Sequence, residues 1–224
     1  MAFKQIKRVW LQFPEAKIKS SEIHKIRGFF SNELHQFDLL HNHDPETGKT
    51  LYRYAAIQFK IIDGKFSIIT FGDKAVDIFR LLFLQTETAW LEKKQIYFYN
   101  RSLDIQSIRL GMTSETNLYE FGSPWIALNQ DNFNLFQQMK SQQEREEKLK
   151  AILINNIISF CKFVEYTIPD RLVIKLSVRH IPVNLKGESV LGFQGQFMIN
   201  MELPDYVGLG KSPSRGYGWI RRIM

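Results

Sequence analysis

The dipeptide Asp63-Gly64 stands between two runs rich in β-branched and aromatic residues, Leu51–Ile62 and GKFSIITFG. Asp-Gly flanked by such runs is a strong short-range signal for a tight hairpin. The two runs are therefore expected to be strands that pair antiparallel. The elements around them extend the pattern. Phe3–Phe13 mixes Phe, Ile, Val and Trp with Lys and Gln, as a half-buried strand does, and Pro14 ends it. In KSSEIHKIRGFFSNELH, Ser20 or Ser21 can cap a helix, and Ile23, Ile26, Phe30 and Leu34 recur at helical spacing. LHNHDPETGKT, from Leu40 to Thr50, is polar and carries Pro45 and Gly48, hence a loop. A second helix is expected from Asp73, with Val76, Ile78, Phe79, Leu82 and Phe83 on its apolar face, and KQIYFYN from Lys94 reads as a strand. Strand, helix, strand, strand, helix, strand is the order of the ferredoxin-like fold, an antiparallel sheet backed by two helices. Many RNA-binding modules share it.

The region from Ser102 to Leu128 shows little periodicity. A long helical stretch follows, about Asn129 to Val164, in which the charged segment SQQEREEKLK marks a solvated face or a break between two helices. Then come RLVIKLSV from Arg171, HIPVNL from His180, LGFQGQFMINMEL from Leu191, and a short strand over Trp219–Ile223. The expectation is an α+β protein of two tandem ferredoxin-like (RRM-like) domains with antiparallel sheets. The N-terminal domain is placed at 1–115 and the C-terminal one at 116–224. A chain of 224 residues is long enough for two domains of about 100 residues each.

Charge bears on the partner. The net charge of +7 favours an acidic partner, nucleic acid or an anionic membrane surface. The start of the chain has no apolar stretch of a signal peptide. The longest apolar runs are interrupted by Arg or Asn and are too short to span a bilayer. A cytoplasmic protein without a membrane partner is expected. The one cysteine, Cys161, lies in ISFCKFV; this excludes a disulfide framework and a cysteine zinc site, and a buried inert thiol is expected.

Near the C-terminus stands GLGKSPSRGYG, Gly208 to Gly218. It is not a phosphate loop of the Walker type, because residue 205, five before Gly210, is aspartate rather than glycine. It is not a dinucleotide fingerprint either, since the third glycine comes six residues after the second. The composition still suits a phosphate backbone. Gly208, Gly210, Gly216 and Gly218 let the main chain approach a ligand. Lys211 and Arg215 supply charge, and Ser212 and Ser214 supply hydroxyl donors. From Asp205 onward four cations stand against one carboxylate, a net +3. A plain surface connection between two strands is the competing reading.

His41-Asn42-His43 lies between the first helix and the second strand, with Asp44 next and Tyr52 and Tyr54 following. Three readings stay open: a metal site, for which His-x-His supplies two ligands and Asp44 would have to turn back; a structural pair; and acid–base chemistry on RNA. Cleaving RNA without metal requires a base for the ribose 2′-OH and an acid for the departing 5′-oxygen. Histidine suits both because its ordinary pKa is near neutrality. Tyr54 or Tyr52 can share that work, and Lys60 or Lys65 can offset charge developing on the phosphorane.

Two stretches together are similar to one family. LLHNH with YRY and IQFK resembles the N-terminal half of the CRISPR-associated repeat-processing endoribonucleases, family six in the Cas nomenclature, in the subgroup with a paired-histidine loop. FQGQFMINMELPDYVGLGKSPSRGYG resembles their C-terminal signature. The resemblance implies a metal-independent endoribonuclease without a cofactor, which cuts CRISPR repeat transcripts to leave a 2′,3′-cyclic phosphate and a 5′-OH. It implies that His41 and His43 are the catalytic histidines, with Tyr54 the best match for the subgroup's tyrosine, and that the Gly208–Gly218 loop positions RNA. The expected partner is CRISPR repeat RNA, with other subunits of an interference complex and a second copy of the chain as further candidates. The alternative is a catalytically inactive RNA-binding subunit of such a complex.

Overall fold

The computed structural model describes residues 3–33, 54–73, 79, 87–185 and 187–223. Contacts along the chain divide it into two units. One comprises Ile6–Ile108 and Ser214–Gly216, the other Met1–Gln5, Arg109–Pro213 and Tyr217–Met224. Both are α+β with antiparallel sheets, the ferredoxin-like class expected from the order of elements.

In the N-terminal unit, β1 (Phe3–Phe13), β2 (Ile57–Ile62) and β3 (Lys65–Phe71) pair in the order β2-β3-β1. Ile62 faces Lys65 and Ile57 faces Thr70, so the hairpin closes at the expected Asp63-Gly64. Both turn residues have positive φ, 48° and 76°, the left-handed pair of a type I′ turn, which Asp and Gly adopt at little cost. Arg8–Phe13 of β1 pair with Phe71–Phe66 of β3. Helix α1 (Ile23–Glu33) buries Ile23, Ile26 and Phe30, spaced three and four apart on one face. Phe30 stacks on Phe59 at 5.6 Å and approaches Phe98 at 5.7 Å, while Phe13 meets Phe66 at 5.6 Å and Phe98 at 4.9 Å. This phenylalanine cluster is the centre of the core. Each fully buried ring stabilises the unit by about 1.5–3 kcal/mol.

Several expectations change here. Ser20–Glu22 form a 3-10 turn rather than the start of the α-helix, and the Glu22 carboxylate accepts the Lys19 N–H at 2.8 Å. That hydrogen bond is the main cause holding the Glu22 carboxyl below its ordinary range. The strand expected over Leu51–Ile62 begins at Ile57 among the described residues. The strand expected over KQIYFYN is shorter, β5 (Lys94–Tyr97), and pairs with β4 (Thr88–Leu91) in a separate two-stranded hairpin. Two-residue periodicity identifies a strand but not its partner. The hairpin turns Ala89, Leu91, Ile96 and the following Phe98 inward. Of the helix expected after Asp73, only Phe79 is described, and it is buried.

In the C-terminal unit, β6 (Ser102–Phe121), whose last part belongs here, occupies a region with little sequence periodicity. It pairs with β8 (Glu188–Glu202), Gly111 opposite Glu202 and Glu120 opposite Gln196, with an irregularity between Met112 and Asn117. On β6, β9 (Ile220–Arg222) sets Ile220 opposite Phe121. β7 (Ile174–Leu185) pairs with β8 along its whole length, so the two runs split at His180 are one strand. Between β6 and β7 lie α2 (Gln130–Gln138) and α3 (Gln142–Phe163). The break precedes SQQEREEKLK: Ser141 caps α3, accepting the Glu144 N–H at 3.1 Å while Glu144 accepts the Ser141 N–H at 3.3 Å. Leu149, Leu153, Ile157 and Phe160 are buried at helical spacing. Cys161 is buried as expected, and burial pushes its thiol up to about 12. Among the described residues no helix is long and apolar enough to cross a membrane.

Candidate functional site

Strand β2 carries two polar side chains in an apolar run, AAIQFKII. Gln58 and Lys60 are two residues apart and so share one face of the strand. Phe59 points the other way, onto Phe30 of α1. Both Gln58 and Lys60 are 0% exposed. Burying such groups is costly unless they are bonded, and here they bond to one another. Lys60 Nζ donates to Gln58 Oε1 at 2.6 Å. Gln58 Nε2 donates to the Ala55 carbonyl at 3.0 Å and to the Tyr54 hydroxyl at 2.7 Å. Burial pushes the Lys60 amine well below the usual lysine range. Tyr54 is half-buried and sits just before the strand.

This locates three of the residues singled out above. Tyr54 is joined to a buried amide and amine. Lys60 is enclosed and bonded to Gln58, so it is not presented at the surface as a charge for a phosphorane. Lys65 is exposed at the opposite end of the hairpin from Tyr54. His41, His43, Asp44 and Tyr52 lie outside the described residues. Among the described residues no group of three or more His, Cys, Asp or Glu could hold a metal ion. His24 and His180 are exposed, the latter within β7 rather than after a strand.

The tip of the glycine-rich loop belongs to this same unit. Ser214 and Arg215 lie in or beside a short 3-10 turn, Pro213–Arg215, and Gly216 follows with φ of 85°. Gly216 is pressed onto β2: a Cβ on it would stand 3.0 Å from the Phe59 carbonyl oxygen and 2.9 Å from Ile23 Cδ1. The positive φ and the close approach both call for glycine. Arg27, on α1, is half-buried. Its pKa is lowered first by burial and then by the charge of Arg215. Two guanidinium groups are thus neighbours at the loop tip, an arrangement that favours an anion. Nothing in the sequence singles out Arg27, because an arginine on an amphipathic helix usually faces solvent.

The rest of the loop belongs to the C-terminal unit and is tied down there. Gly208 bridges Trp219. Leu209 N–H donates to Gly218 O at 2.9 Å, Lys211 N–H to Ile126 O at 2.8 Å, and Gly218 N–H to Pro124 O at 2.9 Å. These three N–H groups cannot also cradle a phosphate. The Tyr217 hydroxyl donates to the Asn184 carbonyl at 2.7 Å. The Lys211 side chain is exposed, and Ser212, half-buried, has φ of 61°. The loop is therefore an ordered connection held by main-chain bonds, and what it can offer a ligand is mainly its side chains.

Two family models match the chain, the Cas6b N-terminal domain over residues 4–109 and the Cas6b C-terminal domain over residues 111–223. A crystal structure of Cas6b is 28% identical, with a TM-score of 0.90 over 98% of this chain and 100% of that one. The structure of the CRISPR RNA processing endoribonuclease Cas6b is 29% identical, with a TM-score of 0.77 and the same coverage of both chains. A protein of Methanocaldococcus jannaschii, MJ0978, is 34% identical over 114 residues, 50% of this chain and 77% of its own. With one domain model matched over each half, the chain belongs to the Cas6b family.

Proposed function

We propose that the protein is a metal-independent endoribonuclease that cuts CRISPR repeat transcripts. The 2′-OH of one nucleotide attacks the adjoining phosphate, and the products carry a 2′,3′-cyclic phosphate and a 5′-OH. His41 and His43 supply the base that takes the 2′-OH proton and the acid that protonates the leaving 5′-oxygen, and Tyr54 takes part beside them. Lys211, Ser212, Ser214 and Arg215, with Arg27, hold the RNA backbone, while Gly208, Gly210, Gly216 and Gly218 keep the loop in its path. The match to both Cas6b domain models carries this reading. The bonded Tyr54 hydroxyl, eleven residues after His43 in sequence, supports it.

The test is incubation of the purified chain with an RNA oligonucleotide of a cognate repeat, in EDTA, followed by analysis of the product ends. Cleavage with a cyclic phosphate on one fragment is expected. His41→Ala and His43→Ala should each slow it by about 10²–10⁴-fold, the usual contribution of one proton-transfer group, with RNA affinity retained. Binding without cleavage by the unaltered chain would identify an RNA-binding subunit instead. Cleavage that is lost in EDTA and restored by Mg²⁺ or Zn²⁺ would point to a metal site.

A further inference from the structure

Lys60 and Gln58 are fully buried polar side chains in the otherwise apolar strand β2. A buried lysine is costly, and apolar residues of similar volume often serve stability as well as a buried polar pair does. Local rules of this kind are broken mainly at functional sites.

The bonds around Gln58 carry directional information. An amide can be placed with its oxygen and nitrogen exchanged, and the neighbours decide which way it lies. The Ala55 carbonyl can only accept, so the Gln58 atom 3.0 Å from it is the nitrogen. At the other end, a lysine ammonium can only donate, so the atom 2.6 Å from Lys60 Nζ is the oxygen. Both ends force the same orientation, and the Ala55 bond does so whether the amine is charged or neutral. The second hydrogen of Nε2 then points at the Tyr54 oxygen, 2.7 Å away. Tyr54 is the acceptor in that bond, and its single O–H is directed elsewhere.

We propose that Gln58 and Lys60 are positioning residues for Tyr54. Lys60 anchors the Gln58 oxygen, the Gln58 nitrogen holds the Tyr54 oxygen as an acceptor, and Tyr54 is thereby set to donate a hydrogen bond to a phosphoryl oxygen of the RNA at the cut. Tyr54 acts in this arrangement as a hydrogen-bond donor to a phosphoryl oxygen, and not as the base. The inference rests on the reading of Tyr54 as part of the cleavage site.

The experiment is single-turnover cleavage of the repeat oligonucleotide by Tyr54→Phe, Gln58→Leu, Gln58→Leu/Lys60→Met, and each of the latter two combined with Tyr54→Phe. The Gln58→Leu/Lys60→Met chain removes both polar groups together and leaves no lone buried partner. Loss of the anchor should slow cleavage by about tenfold or more, since small misplacements cost up to about 10²-fold, with RNA affinity unchanged. In the Tyr54→Phe background the same changes should cause no further loss, because groups that act through one another are not additive. Wild-type rates for the Gln58 variants, or losses that add to that of Tyr54→Phe, overturn the proposal. A Tyr54→Phe chain that cuts at the wild-type rate overturns the reading of Tyr54 itself. A measurement on chains that keep the buried pair decides the geometry independently. Tyr54→Phe should shift one of the two Gln58 side-chain amide proton resonances, and unmoved resonances sink the proposal even where the Gln58 variants do not fold.

Discussion

Gly216, from the C-terminal loop, lies against the main chain of Phe59, where a Cβ would stand 3.0 Å from the carbonyl oxygen. In α1 of the same unit, Gly28 has nothing within 4 Å of the place a Cβ would take. The two glycines should answer the same substitution with opposite signs. Gly216→Ala meets a positive φ as well as the Phe59 carbonyl and should lower the unfolding free energy by about 1–2 kcal/mol or more. Gly28→Ala should raise it by about 0.5–1 kcal/mol, as alanine does within a helix. Urea unfolding of both variants checks this; a Gly216→Ala chain as stable as the parent would mean the loop tip is not seated on β2.

Tyr119 of β6 both donates to and accepts from the main chain of Leu203, at 3.0 and 2.8 Å. Removing the hydroxyl strands a buried N–H and a buried carbonyl, so Tyr119→Phe should cost about 1–3 kcal/mol. Burial also raises its pKa from 10.0 to about 12. The folded protein thus keeps a proton that the unfolded chain releases. The stabilisation is whole below pH 10 and is lost as pH rises through the interval up to about 12. The stability difference between the parent and Tyr119→Phe, followed by denaturant melts, should shrink across that interval and stay level below it.

Lys60 gives the opposite slope. Its folded pKa lies well below the ordinary 10.5 because burial disfavours the ammonium. Between the two values the unfolded chain binds more protons, so this residue's contribution improves as pH rises toward 10.5 and is least favourable in acid. Measured against Gln58→Leu/Lys60→Met, the relative stability of the parent should climb with pH over that range. A flat difference would show that Lys60 is as accessible in the folded protein as in the unfolded one.

Arg27 and Arg215 are neighbours that repel. If phosphate lies against them, each contact with single-stranded RNA contributes about 0.7 to the slope of log K against log salt. Arg27→Ala and Arg215→Ala should each reduce the slope by about that amount in a binding titration. An unchanged slope for both would remove them from the RNA path.

The hairpin around Asp63-Gly64 was legible because turn chemistry and alternation are local properties. So were α1 and the strand after the glycine loop, while the break between α2 and α3 was one of two readings of SQQEREEKLK. Strand β6 was not, because much of its length from Ser102 to Thr116 is half-exposed or exposed and polar, which erases the period. The strand at KQIYFYN was recognised but its partner was not, since Thr88–Leu91 is only four residues long. Of the candidate site, the glycine loop could be picked out by type and spacing, whereas Tyr54 was preferred to Tyr52 only through the family resemblance. Gln58 left a trace that was not followed, a glutamine beside a lysine inside an apolar strand.

The order of elements, the antiparallel hairpin, the cationic tail and the family signatures are properties of the sequence, because each depends on residues close together along the chain. Three things depended on tertiary structure. The tip of the C-terminal loop packs in the unit built by the N-terminal residues. Lys60 is sealed and bonded to Gln58 instead of being offered to a substrate. The Tyr54 hydroxyl is an acceptor from an amide whose sense is forced at both ends. The physical reason is common to all three: burial and the direction of a hydrogen bond are set by neighbours that spacing along the chain does not reveal.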